Sequence, residues 1–233
     1  MAGRPRAFDR DQALRRAMEV FWRHGYETTS INDLTSAMGI NAPSLYAAFG
    51  DKERLFREAV ELYSKIEGVA PERALREGPT ACAAIEAALR ANVELFSDPE
   101  KPSGCMIVLA DTNLSPGHER VREHLVQLRS EIERGMRKRL DRGAAAGEIP
   151  PDADLAAIAA FYRTVLEGLS IRARDGASRR ELQRIVDCAM AAWDTLTKGR
   201  IAATARPRAG RKAAKQQAVK PAPHARSASR AGK

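Results

Sequence analysis

Cys105 is the side chain with the strongest potential for covalent chemistry. It follows Gly104 at a predicted helix start, where the helix dipole can stabilise the thiolate that a redox or electrophile sensor needs. The alternative is a small buried hydrophobic residue, which is favoured because free cysteines are usually buried. Asp111 and Asn113 follow the apolar segment 105–110, where they can offer polar contacts to a small molecule, cap a helix or lie in a surface loop.

The histidines and carboxylates do not form a catalytic or metal-binding pattern. A zinc-protease helix needs two histidines four positions apart, whereas His118 and His124 are six apart, which favours a solvated face. No nucleophile–base pair, phosphate-binding glycine loop or metal cluster occurs at usable spacing. The sequence therefore predicts no catalytic residue, no metal and no cofactor, and it argues against an enzyme.

Charge is distributed unevenly along the chain. The net charge is +9, but residues 198–233 hold eleven Lys and Arg and no acid, which leaves 28 basic and 30 acidic residues elsewhere. A basic tail without acids indicates a polyanionic partner, most often nucleic acid. The tail has almost no large apolar side chains, so we expect it to be disordered.

Cysteine usage and hydropathy indicate the compartment. The three cysteines are widely spaced without a CxxC pair, which argues against a disulfide framework or a zinc site. No signal peptide is recognisable, and the longest apolar run, residues 155–162, is far below the roughly 18 residues of a membrane span. We expect a soluble cytoplasmic protein without a membrane partner, associated with the nucleoid.

The apolar periodicity predicts an all-α fold with nine helices. Ala, Leu, Arg and Glu are abundant and aromatic residues are few, which favours helix over sheet. Only the segment 105–114 leaves a strand open as an alternative to a short buried helix. The chain is long enough for one large domain or two small ones. The wide apolar stripes of helices 152–173 and 178–197 can be core, partner surface or both.

Two short predicted helices, 31–38 and 42–49, are joined by Gly39-Ile40-Asn41. Ser30 with Asp33 forms an acidic version of the capping box, and Asn41 can cap the second helix. A short glycine-containing turn between two helices is typical of the helix-turn-helix, which places its second helix in the major groove of DNA. An ordinary helical hairpin in a bundle is the alternative.

Residues 10–63 resemble the N-terminal domain of the TetR (AcrR-type) family of transcriptional regulators. The similarity covers about a quarter of the chain, and the remainder resembles family members in its helical layout and length. The matching positions are Leu14, Ala17, Phe21, Gly25-Tyr26, Thr29-Ser30, Asp33-Leu34, Gly39-Ile40, Leu45-Tyr46, Phe49, Lys52-Glu53 and Leu55-Phe56.

The resemblance implies a ligand-responsive transcriptional regulator, most often a repressor released by a small-molecule inducer, that binds a palindromic operator in double-stranded DNA as a homodimer. It implies four segments: a basic arm (1–8), a DNA-binding domain (9–66) with the helix-turn-helix at 30–49, a ligand-binding and dimerisation domain (67–197), and the tail (198–233). Candidate ligand-binding residues are Cys105, Asp111, Asn113 and Tyr162.

The resemblance also implies a set of DNA-binding residues. Ser30 and Asn41 stand at helix starts, where side chains and free amides can hold phosphate. Ser44 and Tyr46 lie on the recognition helix, and Lys52 follows it as a phosphate anchor. Ala47-Ala48 departs from the family pattern, which often has a large side chain there. The full set is Arg4, Arg6, Thr29, Ser30, Asn41, Ala42, Pro43, Ser44, Tyr46 and Lys52, with Arg4 and Arg6 tracking the DNA backbone or entering the minor groove.

Two alternatives stay open besides the enzyme. A nucleoid-type architectural protein would bind DNA mainly through its basic tail and without sequence preference. An activator would have the same sequence features as a repressor, because the sign of regulation depends on where the operator lies relative to the promoter.

Overall fold

α-Helices make up the regular structure of residues 8–110 and 114–198, the parts of the chain that the computed structural model describes. No strand occurs within these two ranges, which pack together as one unit. The helices in chain order are α1 Arg10–His24, α2 Ile31–Met38, α3 Ala42–Phe49, α4 Lys52–Glu67, α5 Val69–Glu77, α6 Ala81–Phe96, α7 Met106–Leu109, α8 Glu119–Ala145, α9 Leu155–Arg174, α10 Arg179–Ala191 and α11 Trp193–Lys198.

The all-α class is confirmed, but the described residues form eleven helices where the sequence predicted nine. The additional helix α5 follows α4 at Gly68 and has no buried residue, and the sequence prediction omitted it. The predicted last helix is interrupted at Ala192, which separates α10 from α11. The segment that could have been a strand contains the four-residue helix α7.

An aromatic centre holds the first four helices together. Phe21 of α1 packs edge-on against Phe56 of α4 with ring centroids 5.1 Å apart, and Tyr26 contacts both rings. Leu34 of α2 and Leu45 of α3 are fully buried against this group. Helices of eight residues are unstable alone in water, so this packing is what fixes α2 and α3.

The end of α1 is joined to the later helices. The Trp22 indole donates a buried hydrogen bond of 2.8 Å to the Gly104 carbonyl, and the next amide, Cys105, donates to Ser170 Oγ of α9 at 2.8 Å. Arg174, the last residue of α9, donates to the carbonyls of Trp22 and Arg23 at 2.8 and 2.9 Å. α1 is thus fixed to both α9 and the loop before α7.

Several predicted features lie outside the described residues. These are Arg4 and Arg6 of the basic arm, Asp111 and Asn113, and residues 199–233 of the predicted tail. Within the described ranges, no helix combines the length and the apolar character that crossing a bilayer requires.

Candidate nucleic-acid interface

The turn between α2 and α3 has the geometry of a helix-turn-helix. Gly39 adopts the left-handed conformation (φ 69°), and its amide and that of Ile40 donate to carbonyls of the last turn of α2. Asn41 then caps α3, with its side-chain oxygen accepting from the Ser44 amide at 2.9 Å. Both ends of the turn are therefore fixed by local hydrogen bonds, as the sequence predicted.

α3 presents one buried face and one exposed face. Leu45 and Phe49 are buried in the core, whereas 48% of Tyr46 is exposed and Ala47 beside it is exposed as well. Arg10 of α1 supports the far end of α3: its guanidinium lies 4.4 Å from the Phe49 ring centroid and pairs with Glu58 at 2.6 Å. The exposed face can therefore contact another molecule without disturbing the core.

The start of α3 is suited to a phosphate group. Its first turn carries no acidic residue, and Asn41 and Pro43 are exposed while Ala42 and Ser44 are partly exposed. Pro43 has no N–H and the Ser44 amide already donates to Asn41, so the positive end of the helix dipole is what favours an anion at this position. These four predicted residues lie at the start of α3, before the exposed Tyr46.

Ser30 at the start of α2 has a different environment. Its amide and its hydroxyl both donate to the Asp33 carboxylate, at 2.8 and 2.7 Å. These hydrogen bonds lower the pKa of Asp33, which therefore stays negatively charged at this helix start. Both donors of Ser30 are engaged next to a carboxylate, so its predicted phosphate contact is disfavoured.

Thr29 is a correction to the predicted DNA-binding set. It is 1% exposed, and its hydroxyl donates to the Gly25 carbonyl at 2.6 Å. The side chain therefore joins the end of α1 to the start of α2 and cannot reach a DNA molecule. The sequence shows a threonine at a helix start but not the direction of its side chain.

Lys52 is less exposed than the sequence suggested. Its ammonium lies 4.4 Å from the Tyr26 ring centroid and 3.4 Å from the Glu27 carbonyl oxygen. Partial burial lowers the pKa of Lys52, while Glu27 and Asp33 act in the opposite direction. A phosphate contact by Lys52 remains a prediction, and it would compete with the contact to Tyr26.

The two histidines are partly exposed, and each also contacts neighbouring residues. The His118 ring packs edge-on against Tyr26 at 5.1 Å, and its Nε2 is 3.5 Å from Glu27 Oε2. His124 has a buried Nε2 atom, and burial lowers its pKa. Neither belongs to a metal-binding group, since the described residues contain no cluster of three potential ligands.

Phe8, where the first described range begins, lines an open groove beside the turn. Gly39, Asn41 and Ser44 line the same groove. Phe8, the last residue of the predicted basic arm (1–8), therefore lies beside the turn of the helix-turn-helix. This position agrees with the predicted role of Arg4 and Arg6, which themselves lie outside the described residues.

A cavity of about 420 Å³ lies between the helices that follow the helix-turn-helix, and α4, α5, α6, α7, α8 and α9 all contribute to its wall. Cys105 lines it, as expected for a ligand-binding residue, and its thiol is hydrogen-bonded to the Tyr63 hydroxyl. Burial raises the pKa of both groups, so the thiol stays protonated. The cavity therefore contains Cys105 as a small buried side chain rather than as a reactive thiolate.

Tyr162 is a second correction. It is fully buried, its hydroxyl donates to the Ala189 carbonyl at 3.3 Å, and its ring packs against Phe161 and Trp193. It does not line the cavity. Tyr162 thus joins α9 to α10 and has no access to a ligand.

Sequence reasoning missed most of the cavity wall. Tyr63, Glu67, Asn92 and Glu131 all line the cavity, but each lies within an amphipathic helix and has no neighbouring motif. Arg174 was also missed, because its carbonyl partners are about 150 positions earlier in the chain. Only a three-dimensional arrangement brings these groups together.

Comparisons with known proteins identify both halves of the chain. The family model "Bacterial regulatory proteins, tetR family" matches residues 13–59, and the model "Tetracyclin repressor-like, C-terminal domain" matches residues 81–196. The chain is similar to the HTH-type transcriptional repressor ComR of Escherichia coli (strain K12), with 39% identity over 202 residues, 84% of this chain and 94% of ComR. The HTH-type transcriptional repressor BdcR of the same organism is 30% identical over 190 residues, 82% of this chain and 89% of BdcR.

A solved structure extends the comparison to a DNA complex. It contains a triple cysteine mutant of the TetR family transcriptional regulator CifR, complexed with 26bp double-strand operator DNA. The CifR chain is 46% identical to this protein, with a TM-score of 0.80 over 82% of this chain and all of that one.

We predict that replacing Tyr46 with alanine weakens binding to a specific DNA site and leaves the fold unchanged. Tyr46 is half exposed on α3, and the loss of one hydrogen bond to phosphate costs about 1 kcal/mol, roughly a fivefold loss of affinity. Fluorescence anisotropy at matched salt measures the affinity, and Tyr46→Phe separates the hydroxyl from the ring. The control is Val126→Ala on α8, also 48% exposed. Equal affinities for Tyr46→Ala and the control would show that this face of α3 does not contact DNA.

Proposed function

The chain belongs to the tetR family of bacterial regulatory proteins, and we propose that it is a homodimeric repressor that leaves its operator when a small molecule binds. The exposed face of α3 is the observation that carries this proposal, because a supported helix with a free surface is what major-groove binding needs. Its relatives are transcriptional regulators, so the protein is a regulator and not an enzyme.

The DNA contacts that we propose come from the start and exposed face of α3. Asn41, Ala42, Pro43 and Ser44 approach a phosphate at the helix start, and Tyr46 contacts phosphate, sugar or thymine. Beyond α3, the proposed contacts are Lys52 after it and Arg4 and Arg6 in the arm. The CifR structure supports DNA binding by this chain, because a protein 46% identical to it is complexed there with operator DNA.

The proposed division of the chain follows from these roles. Residues 9–66 bind DNA, residues 67–197 bind the small molecule and form the dimer, and residues 1–8 and 198–233 add basic segments at the two ends. The cavity between α4, α5, α6, α7, α8 and α9 is the proposed inducer site. A regulator of bacterial operators acts where the chromosome lies, and we therefore place this protein in the cytoplasm, at the nucleoid.

Genome-wide mapping followed by footprinting tests the proposal. A dimer with one short recognition helix per subunit should protect a roughly palindromic site, with half-site centres about 34 Å apart or a wider multiple. Competition with unrelated DNA distinguishes this outcome from an architectural protein, which would bind both equally. Protection of one short asymmetric site by a monomer would contradict the proposed dimer.

The surface that we propose for dimerisation lies on α9. One stripe of α9 side chains recurs at alternating intervals of four and three residues, and these side chains are not fully buried in the single chain. Ile171 at the end of the stripe is 46% exposed. A side chain added at Gly168 would meet nothing within 4 Å, so this glycine is not required by the fold of one subunit. The stripe consists of Ala157, Phe161, Thr164, Gly168 and Ile171.

We predict that Gly168→Arg abolishes the dimer without unfolding the subunit. Arginine is a better helix former than glycine by roughly 0.8 kcal/mol, but its side chain would block the approach of a second α9. Operator affinity should fall about a hundredfold or more, toward that of non-specific binding. Analytical ultracentrifugation and anisotropy measure the two effects, with Ala145→Arg on the exposed end of α8 as the control. A Gly168→Arg protein that stays dimeric would show that the dimer interface is not on this face of α9.

We predict that the basic tail contributes affinity for any DNA but no sequence preference. Its eleven cations can neutralise phosphates and release counterions, each adding about 0.9 to the slope of log affinity against log salt. Removal of residues 198–233 should therefore flatten the salt dependence and leave the choice of operator unchanged. The control is a tail of equal length with every Lys and Arg replaced by Gln. Identical slopes for all three proteins would exclude a role of the tail in DNA binding.

A further inference from the structure

The wall of the ligand cavity is apolar with an acidic border. Apolar side chains from five helices form most of it, and the polar contribution includes the carboxylates of Glu67, Glu72 and Glu131. Among the described residues, no arginine, lysine or histidine lines this cavity. The apolar part consists of Leu75, Leu95, Ile107, Leu128, Ile132, Met136 and Leu166, with Ala88.

Glu67 differs from the other two carboxylates in its burial. Glu72 and Glu131 pair with arginines that are more than half exposed, at 3.6 and 3.4 Å, so water screens these pairs. The Glu67 side chain is only 10% exposed, and its Oε2 atom is 2.8 Å from the Lys101 ammonium. A carboxylate buried to this extent needs a cationic partner, since an unpaired buried charge is costly.

Lys101 approaches Glu67 from outside the cavity wall. It belongs to the loop between α6 and α7, and its own side chain is 36% exposed. Its ammonium can therefore return to water at little cost if another cation takes its place on Glu67. The Glu67–Lys101 pair shows that the position at this carboxylate already accepts an alkylammonium group.

We infer that the inducer is an organic cation with an apolar body, whose positive group replaces Lys101 on Glu67 while its body fills the cavity. This inference rests on the proposed function and names the chemical class of its ligand. An anionic ligand of equal size would meet three carboxylates and no lining cation. A neutral ligand would gain the apolar contacts and hydrogen bonds to neutral groups such as Asn92, but no charge pairing with Glu67.

Displacement of Lys101 can be transmitted directly to the DNA-binding helices through the loop that carries it. The same loop ends at Ser103 and Gly104, whose carbonyls accept hydrogen bonds from Arg174 and from the Trp22 indole at 3.0 and 2.8 Å. A shift of this loop therefore alters the contacts that hold the end of α1. Ligand binding would favour a conformation in which the two recognition helices no longer match the operator.

Three probes with one alkyl chain test the class of the ligand. Octylammonium, octanol and octanoate differ in charge but present closely similar apolar bodies, since the alkyl chain of octanoate is only one carbon shorter. Calorimetry on the full-length dimer should give octylammonium an affinity at least about tenfold above that of the other two, as expected for a hydrogen bond to a charged group. Octylammonium should also release fluorescent operator DNA at lower concentration than either other probe.

Two variants test whether the cation of the ligand binds at Glu67. Glu67→Gln should reduce the preference for octylammonium over octanol to near unity, and Lys101→Met should raise octylammonium affinity because the internal competitor is gone. The control is Glu94→Gln, which removes an exposed carboxylate paired with Arg179 at 3.0 Å outside the cavity wall. If Glu67→Gln does not fold, the Lys101→Met result still decides.

The outcomes separate this inference from the proposed function. Equal or tighter binding of octanol or octanoate, no binding of octylammonium, or unchanged octylammonium affinity in Lys101→Met would overturn the inference, even where the protein still binds its operator. Failure of the unliganded protein to bind any specific DNA site would instead overturn the proposed function.

Discussion

Two carbonyl groups at the end of α1, those of Trp22 and Arg23, are satisfied by a distant part of the chain, and the position of the DNA-binding helices depends on this. A helix end leaves several carbonyls without partners, and here Gly25 binds only that of Phe21. Arg174 from the end of α9 binds the carbonyls of Trp22 and Arg23, with its positive charge at the negative end of the helix dipole. Burial lowers the pKa of Arg174, yet three carbonyl acceptors and its high intrinsic basicity keep it charged.

The hydrogen bonds of Arg174, Trp22 and Ser170 form a joint between α1, α9 and the loop before α7. This joint links three functions that are carried by separate segments of the chain. α1 supports the helix-turn-helix, α9 carries the proposed dimer stripe, and the loop at Ser103 and Gly104 connects both to the ligand cavity. Gly104 allows this close approach, because its φ is +79° and an added Cβ would lie 2.7 Å from the Ser170 carbonyl oxygen. The same few hydrogen bonds therefore set the relation between dimer, cavity and recognition helix.

The features that the sequence predicted are those that depend on neighbours along the chain. Asn41 caps α3 and Gly39 ends α2 through bonds within a few residues, so their spacing alone was informative. The Glu67–Lys101 pair and the Arg174 bonds depend on packing between distant segments and left no pattern. Thr29 and Tyr162 were assigned by residue type to DNA and ligand, but both side chains point into the core.

α3 carries few side chains that can read base edges, and the joint between α1 and α9 is therefore important for specificity. Ser44, Tyr46 and the exposed Ala47 offer few groups for reading base edges, so direct readout distinguishes only part of an operator. The remaining discrimination then has to come from phosphate contacts, from the shape of the DNA and from the distance between the two half-sites. In the proposed dimer, α9 and Arg174 would set that distance rather than α3 itself. A small displacement at the joint would therefore cost a dimer both of its half-site contacts together, which is how a modest ligand-induced shift can release the whole protein from DNA.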